Sequence, residues 1–368
     1  MKLLICTQKV DINDDLLGFF HSWIAEFAKN CEQITVICLY KSEYDLPSNV
    51  KVLSLGKEDN QFSIFNYTRQ ASTSELRIIQ KIKYFFRFYK YIWQERKNYD
   101  NVFVHMNPIY VLLGGLFWRI WRKKVGLWYA HGHVSSGLRI AEKFVDNIFT
   151  STASGCRMKS DKIKIIGQGI DFNKFQIKSK ITNHKSKINL ITIGRISPIK
   201  DIGTLINAVD VLVKKGINVK FDVIGQVGLS EQREYYESLQ KQIKEKKLGS
   251  NINFAGAVPN KDIVKYLQEA DIFVSASQTG SLDKTFLEAM ACGLPVIGCN
   301  EALLAVLGKY KNDLFYSSGD FQALSERIER VIGLSGNDYV KMGEDLRDVV
   351  VREHGLEGFV KRVFEILK

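Results

Sequence analysis

A short apolar run that stops at a glycine and then gives way to a helical stretch recurs through the second half of this chain. It occurs at Asn189–Ile193 before Gly194, at Lys220–Ile224 before Gly225, and at Ile252–Phe254 before Gly256. Helical periodicity fills the intervals over Thr204–Lys215, Glu231–Lys247 and Lys261–Glu269. Two further strands, Ile272–Ser275 and Val296–Gly298, bracket a helix over Lys284–Cys292. Strand, glycine and helix repeating at roughly 25–30 residues is the rhythm of a doubly wound parallel sheet.

The first half carries the same alternation less regularly. Leu3–Cys6, Ile34–Leu39, Val50–Leu55, Val102–His105, Leu127–His131 and Asn147–Thr150 read as strands, and Leu16–Asn30 and Ser74–Lys97 as helices. At 368 residues the chain has room for about two domains. The boundary is expected between Gly167 and Lys187, where Gly167-Gln-Gly169 precedes a polar run, Lys178–Lys187. The sequence therefore predicts an α/β fold of two Rossmann-like domains facing across a cleft, over residues 1–170 and 171–351.

Composition removes several alternatives. With 45% hydrophobic residues and only five prolines, disorder and collagen-like repeats are excluded. The six cysteines, at 6, 31, 38, 156, 292 and 299, form no Cys-x-x-Cys pair, which points to buried, reduced thiols and a cytoplasmic protein. The apolar run at the N-terminus is too short for a signal peptide, and Ile109–Trp121 is too short to span a bilayer and contains Arg119.

The net charge of +12 is unevenly placed, because residues 1–170 carry 24 Lys and Arg against 15 Asp and Glu. Between Arg77 and Lys124 stand eleven basic and two acidic residues, interleaved with aromatics such as Phe85, Phe86, Trp93 and Trp121. Such a stretch suits an anionic membrane surface on the cytoplasmic side. It also suits a helix whose aromatics are core and whose charges are a solvated face. No nucleic-acid motif accompanies it.

The chemistry is concentrated in two segments. Gly194-Arg-Ile-Ser-Pro-Ile-Lys-Asp201 follows a strand directly and places Arg195 and Lys200 at its carboxyl end, where two cations suit a diphosphate. In Thr279–Ile297, Gly280 and Ser281 open a helix whose free amides make an anion site. Asp283 is placed to cap that helix. Glu288 lies among small apolar residues, where a carboxylate needs a partner such as a vicinal diol or a lysine.

In order, GRISPIK, FAGAVP, ADIFVSAS and LEAMACGLPVI resemble the retaining two-domain glycosyltransferases of family 4, which have the GT-B fold. The resemblance is strong over residues 165–300 and loose before them. It implies that Gly194, Arg195 and Lys200 hold the donor diphosphate, that Gly256 to Pro259, with Val258, flank the base, and that Glu288 holds the ribose. The turn of Ser281, Leu282 and Asp283, with Lys284, would cradle phosphate and sugar. Gly18 would lie over the phosphate, and His131 would point at the transferred sugar, ahead of His105 and His133. The last helix, in residues about 352–368, would cross back to the first domain.

Two positions depart from the family pattern. The first glutamate of its Glu-x7-Glu motif falls at Gly280, and Asp201 stands where glycine is usual. Asp283 is the candidate replacement for the missing carboxylate, so His131, Arg195, Lys200 and Asp283 are the expected catalytic residues. The resulting expectation is a metal-independent, retaining transfer from a nucleoside-diphosphate sugar, UDP before GDP, to a lipid-linked or cell-envelope saccharide, with no other cofactor. The chain contains no Asp-x-Asp sequence. The competing readings are a soluble acceptor, a sugar-nucleotide epimerase or phosphorylase on the same fold, and an inactive nucleotide-sugar-binding subunit, the last motivated by Gly280.

Overall fold

The computed structural model describes residues 1–59, 73–177, 187–228, 232–278 and 280–368, with side chains from residue 78 onward in the second of these stretches. Most of the polar run 178–187, the start of the helix read from Glu231, and Thr279 lie outside the described residues. The chain divides into two compact units, one of Met1–Ile166 with Phe359–Lys368, the other of Gly167–Gly358.

The first unit runs β1 (Lys2–Val10), α1 (Phe19–Lys29), β2 (Gln33–Lys41), β3 (Val50–Ser54), α2 (Thr73–Gln94), β4 (Asn101–His105), α3 (Ile109–Ile120), β5 (Lys124–Trp128), α4 (Ser136–Glu142), β6 (Asn147–Thr150) and β7 (Ile163–Ile165). All seven strands are parallel, in the order β3-β2-β1-β4-β5-β6-β7. The near-continuous apolar runs of β1, β2 and β4 are explained by burial on both sheet faces. Phe88, Tyr110 and Trp118 pack one face. The C-terminal helix, Leu356–Leu367, supplies Phe359, whose ring lies 4.2 Å from Trp23 and 5.2 Å from Trp128, and Phe364, 5.6 Å from Phe27.

The membrane-like stretch from Ile109 is α3, a 12-residue amphipathic helix that buries Val111 and Trp118 and exposes Leu116 and Ile120. Among the described residues no helix is long and apolar enough to cross a membrane. All six cysteines are buried and free of disulfides.

The second unit runs β8 (Ile188–Ile193), α5 (Ile202–Lys214), β9 (Val219–Ile224), α6 (Arg233–Glu245), β10 (Ile252–Gly256), α7 (Ile263–Glu269), β11 (Ile272–Ser275), α8 (Lys284–Ala291) and β12 (Val296–Gly298), followed by α9 (Phe321–Ile332) and α10 (Gly336–Val349). Its five parallel strands stand in the order β10-β9-β8-β11-β12. The molecule is thus built from two Rossmann-like parallel-sheet domains, as the sequence rhythm predicts.

The strand-end glycines have a steric cause. Gly225 adopts a φ of +143°, and a Cβ there would lie 1.9 Å from the Gly194 carbonyl oxygen. The turns leaving β8 and β9 therefore touch backbone to backbone, and no side chain fits between them.

Candidate active site

In an open parallel sheet, ligands bind outside the carboxyl ends of the strands, where the winding direction reverses. In the second unit that point lies between β8 and β11. The two loops leaving these strands are residues 194–201 and 276–283, the segments in which the sequence places its chemistry.

Lys200 joins the two loops. Its stem passes over Gly194, where a Cβ would approach its Cε to 3.4 Å. Its ammonium donates to Ser277 Oγ at 3.1 Å and to Asp283 Oδ2 at 2.6 Å. Arg195 is exposed, its Cδ lies against Gly228, and it has no polar partner among the described residues. The site therefore presents one anchored cation and one available cation.

Asp283 departs from expectation. It occupies the N-cap position of α8, but its side chain makes no capping bond and is instead ion-paired with Lys200. A full ammonium is a stronger partner for a half-buried carboxylate than a neutral amide. Leu282 is buried beside it, and the Ser281 carbonyl accepts from Asn300 Nδ2 at 2.7 Å, which ties down the turn.

Asp201 also acquires a physical account. It sits in the left-handed region, φ +43°, where glycine is the unstrained choice. Its carboxylate recovers that cost by accepting from Thr204 Oγ1 at 2.8 Å as the cap of α5.

Glu288, on α8, is 2% exposed and accepts from Asn260 Nδ2 at 3.2 Å. Asn260 follows the Gly256–Pro259 loop, in which Val258 is buried, and its Oδ1 accepts from Lys174 Nζ at 2.9 Å. The loop after β10 and the helix after β11 are thereby locked together. Gly256 takes a φ of +76° with open space beside it. Sequence reasoning missed Lys174, Asn260 and Ser277. Asn260 adjoins a recognised loop, whereas nothing in the sequence marks Lys174.

Lys284 opens α8, one turn before Glu288. Desolvation pulls its ammonium down to about 7, against the attraction of Glu288 and with the repulsion of Lys174. Lys174 is lowered for the same leading reason. An unfolded lysine titrates near ~10.4. Between about pH 7 and that value the unfolded chain thus binds a proton at this residue that the folded chain has released, and stability rises with pH across the window. Calorimetric melting should show the wild type gaining on Lys284→Met from pH 7 to 9.5; parallel curves would place the Lys284 ammonium in water.

The first-unit candidates stand apart in character. Gly18 is the N-cap of α1 with an ordinary helical φ of −57°. The preceding turn is held by Asp14, which accepts from Lys9 Nζ and from the amides of Leu16 and Leu17. His131 does not end a strand, because β5 stops at Trp128. It lies exposed in the following loop, where its Nδ1 accepts from the His133 amide at 3.1 Å. His105 is a core residue, 1% exposed, stacked on Phe20 at 4.0 Å and hydrogen-bonded through Nδ1 to Thr7.

Residues 173–348 match the family model described as glycosyl transferases group 1. The match lies within the second unit and spans 176 of the 368 residues. The amylovoran biosynthesis glycosyltransferase AmsK of Erwinia amylovora is 28% identical over 186 residues, 49% of this chain and 44% of that protein. An alpha-monoglucosyldiacylglycerol synthase of Acholeplasma laidlawii is 30% identical over 177 residues, 45% and 43% of the two chains. The chain spans about half the length of the curated relatives it matches. Over the whole fold, Anabaena HepE, solved in complex with UDP, aligns with a TM-score of 0.73 at 16% identity, covering 100% of this chain and 99% of that one. The sucrose-phosphate synthase of Thermosynechococcus elongatus gives 0.75 at 14% identity, covering 100% and 98%. Both likenesses establish the GT-B architecture.

Gly280, the departure from the Glu-x7-Glu pattern, is also a backbone choice. Its φ of +71° is a conformation that side chains resist. Gly280→Glu should therefore cost about 1 kcal/mol of stability and leave transfer no faster. A melting temperature and a rate both at or above wild type would contradict this.

Proposed function

We propose that this protein transfers a sugar from a nucleoside-diphosphate sugar, UDP-linked in preference to GDP-linked, to a hydroxyl of a saccharide carried on lipid, with retention at the anomeric carbon and without a metal ion. The single observation that carries the reading is Lys200, anchored by Ser277 and Asp283 at the switch point of the second sheet, with Arg195 available beside it. The second unit then binds the donor; in the first unit Gly18 is assigned to the donor phosphate and His131 to the transferred sugar, and the rest of that unit serves the acceptor.

Breaking the anomeric bond leaves charge on the diphosphate. Lys200, Arg195 and the amides of residues 281–283 at the start of α8 would balance that charge without reorganising. Among the described residues no cluster of three His, Cys, Asp or Glu side chains is placed to hold a metal. Glu288 would take the ribose hydroxyls, its carboxylate already oriented by Asn260. The oxocarbenium-like sugar is then attacked on the face that the leaving group vacates. Asp283, beside the phosphate cation, would meet the sugar hydroxyls that the residue at position 280 cannot reach. His131, its Nδ1 already accepting, would offer Nε2 to the acceptor or the sugar.

The relatives' names support the acceptor class, since they include amylovoran, capsular polysaccharide and glucosyldiacylglycerol synthesis. A melting-temperature panel with UDP, GDP and ADP, each with and without EDTA, tests the donor side. A shift with UDP that EDTA leaves unchanged is the expected result. A shift that EDTA abolishes would overturn metal independence, and no shift with any nucleotide would overturn the donor site.

A further inference from the structure

We infer that the α2–α3 face of the first unit, together with a cation-lined cavity at its edge, docks on an anionic phospholipid bilayer. The inference rests on the lipid-side reading of the acceptor above, but concerns where the protein binds rather than what it transfers.

Two exposed apolar stripes lie side by side. On α2, Ile78, Ile82 and Phe86 recur at helical spacing, and Trp93 extends the line. On α3, Leu116 and Ile120 do the same. Phe86 and Ile120 are each 65% exposed. The helices are stitched together by Tyr89 against Phe117, 5.5 Å between rings, and by Trp93 against Trp121, 5.8 Å. Between them runs an open apolar groove of about 470 Å³. Inward-facing Phe88, Ile92 and Trp118 already satisfy the core, so these outer residues are surplus to folding.

Where α3 ends, the surface turns cationic. Arg119, Arg122, Lys123, Lys124, Lys143 and Lys162 line a cavity of about 350 Å³ with a single carboxylate, Asp146. That carboxylate already accepts from the Val125 amide at 2.7 Å. Arg119 and Lys162 donate to backbone carbonyls at the end of α4. Arg122, Lys124 and Lys143 have no partner among the described residues. This cavity lies at the amino ends of β5–β7, the opposite edge of the sheet from the loops that carry His131 and Gly18.

An occupant must satisfy both features at once. A bilayer does so, because aliphatic and aromatic side chains enter its acyl boundary while lysines and arginines a turn away meet its phosphates. The groove alone would suit a protein helix, but the adjoining cations, four of them in the run Arg119–Lys124, select an anionic surface.

Vesicle co-sedimentation of the full chain tests this. We expect binding to phosphatidylglycerol vesicles at 0.05 M salt, at least ~10-fold weaker binding to phosphatidylcholine, and release at high salt. The triple variant Arg122→Glu/Lys124→Glu/Lys143→Glu and the double variant Phe86→Ser/Ile120→Ser should each weaken binding at least ~10-fold, with the UDP melting shift unchanged. Equal binding to both lipids, or wild-type binding by both variants, would overturn the inference. So would lipid-free self-association that the double variant abolishes, which would make the face a contact between copies. A protein that binds vesicles as expected but glycosylates only water-soluble acceptors would refute the lipid acceptor and leave the docking face standing.

Discussion

Lys200→Ala should reduce transfer by ~10²–10³-fold and abolish the UDP-induced melting shift, with secondary structure intact. The size follows from what removing one preorganised charge-stabilising donor costs an enzyme. Two structural facts push it to the upper end. The ammonium is fixed before any ligand arrives, because Ser277 and Asp283 hold it. Its removal also takes away the ammonium that is ion-paired with the Asp283 carboxylate in this turn. Lys200→Arg should not rescue, because the planar fork needs more room than the channel over Gly194 offers. Asp283→Ala separates the two roles of the pair: transfer should fall while UDP still shifts the melting temperature. Retained turnover in Lys200→Ala would remove the diphosphate from this position, and a fully active Asp283→Ala would remove the sugar from that one.

Glu288→Gln should lower kcat/KM for the donor by roughly 10–10²-fold, the worth of charge-assisted hydrogen bonds to two hydroxyls. It should also blunt discrimination between UDP and its 2′,3′-dideoxy analogue, since a site built to bond hydroxyls rejects a ligand that lacks them. The variant keeps shape and can still accept from Asn260, so packing is conserved. It removes the carboxylate that, ahead of Asp171, most offsets the desolvation of both Lys284 and Lys174, so both ammonium groups should titrate lower still. Undiminished preference for UDP over the dideoxy analogue in the variant would show that the ribose lies elsewhere.

The fold was legible because its cause is local. Strands buried on both faces must be apolar throughout, and the close approach of Gly225 to Gly194 demands glycine, so the β-strand rhythm survives in the letters. The cations survived too, since Lys200 and Arg195 lie one loop after a readable strand. What sequence spacing could not carry was direction. Asp283 stands where a cap belongs, yet its side chain turns to a lysine 83 residues away in sequence. His105 and His131 both looked like strand-end histidines; His105 does end β4, with its ring stacked within the aromatic core, whereas His131 stands in a solvent-exposed loop. The boundary of β5 was misplaced because the apolar run continues through Tyr129 and Ala130, past the last ladder pair at Trp128. Lys174 was invisible because its partner, Asn260, lies 86 residues on.

The return of residues 359–368 to the first unit sets an order of assembly. Trp23, Phe27 and Trp128 are covered by Phe359 and Phe364, which are synthesised only after the entire second unit. A nascent chain therefore carries an open aromatic face on its first sheet while the second domain is made and folds. A chain that stopped just after Gly358 would hold the whole second unit attached to a sticky, unfinished first one. The protein's exposure to chaperones is thus written into its chain path rather than its composition.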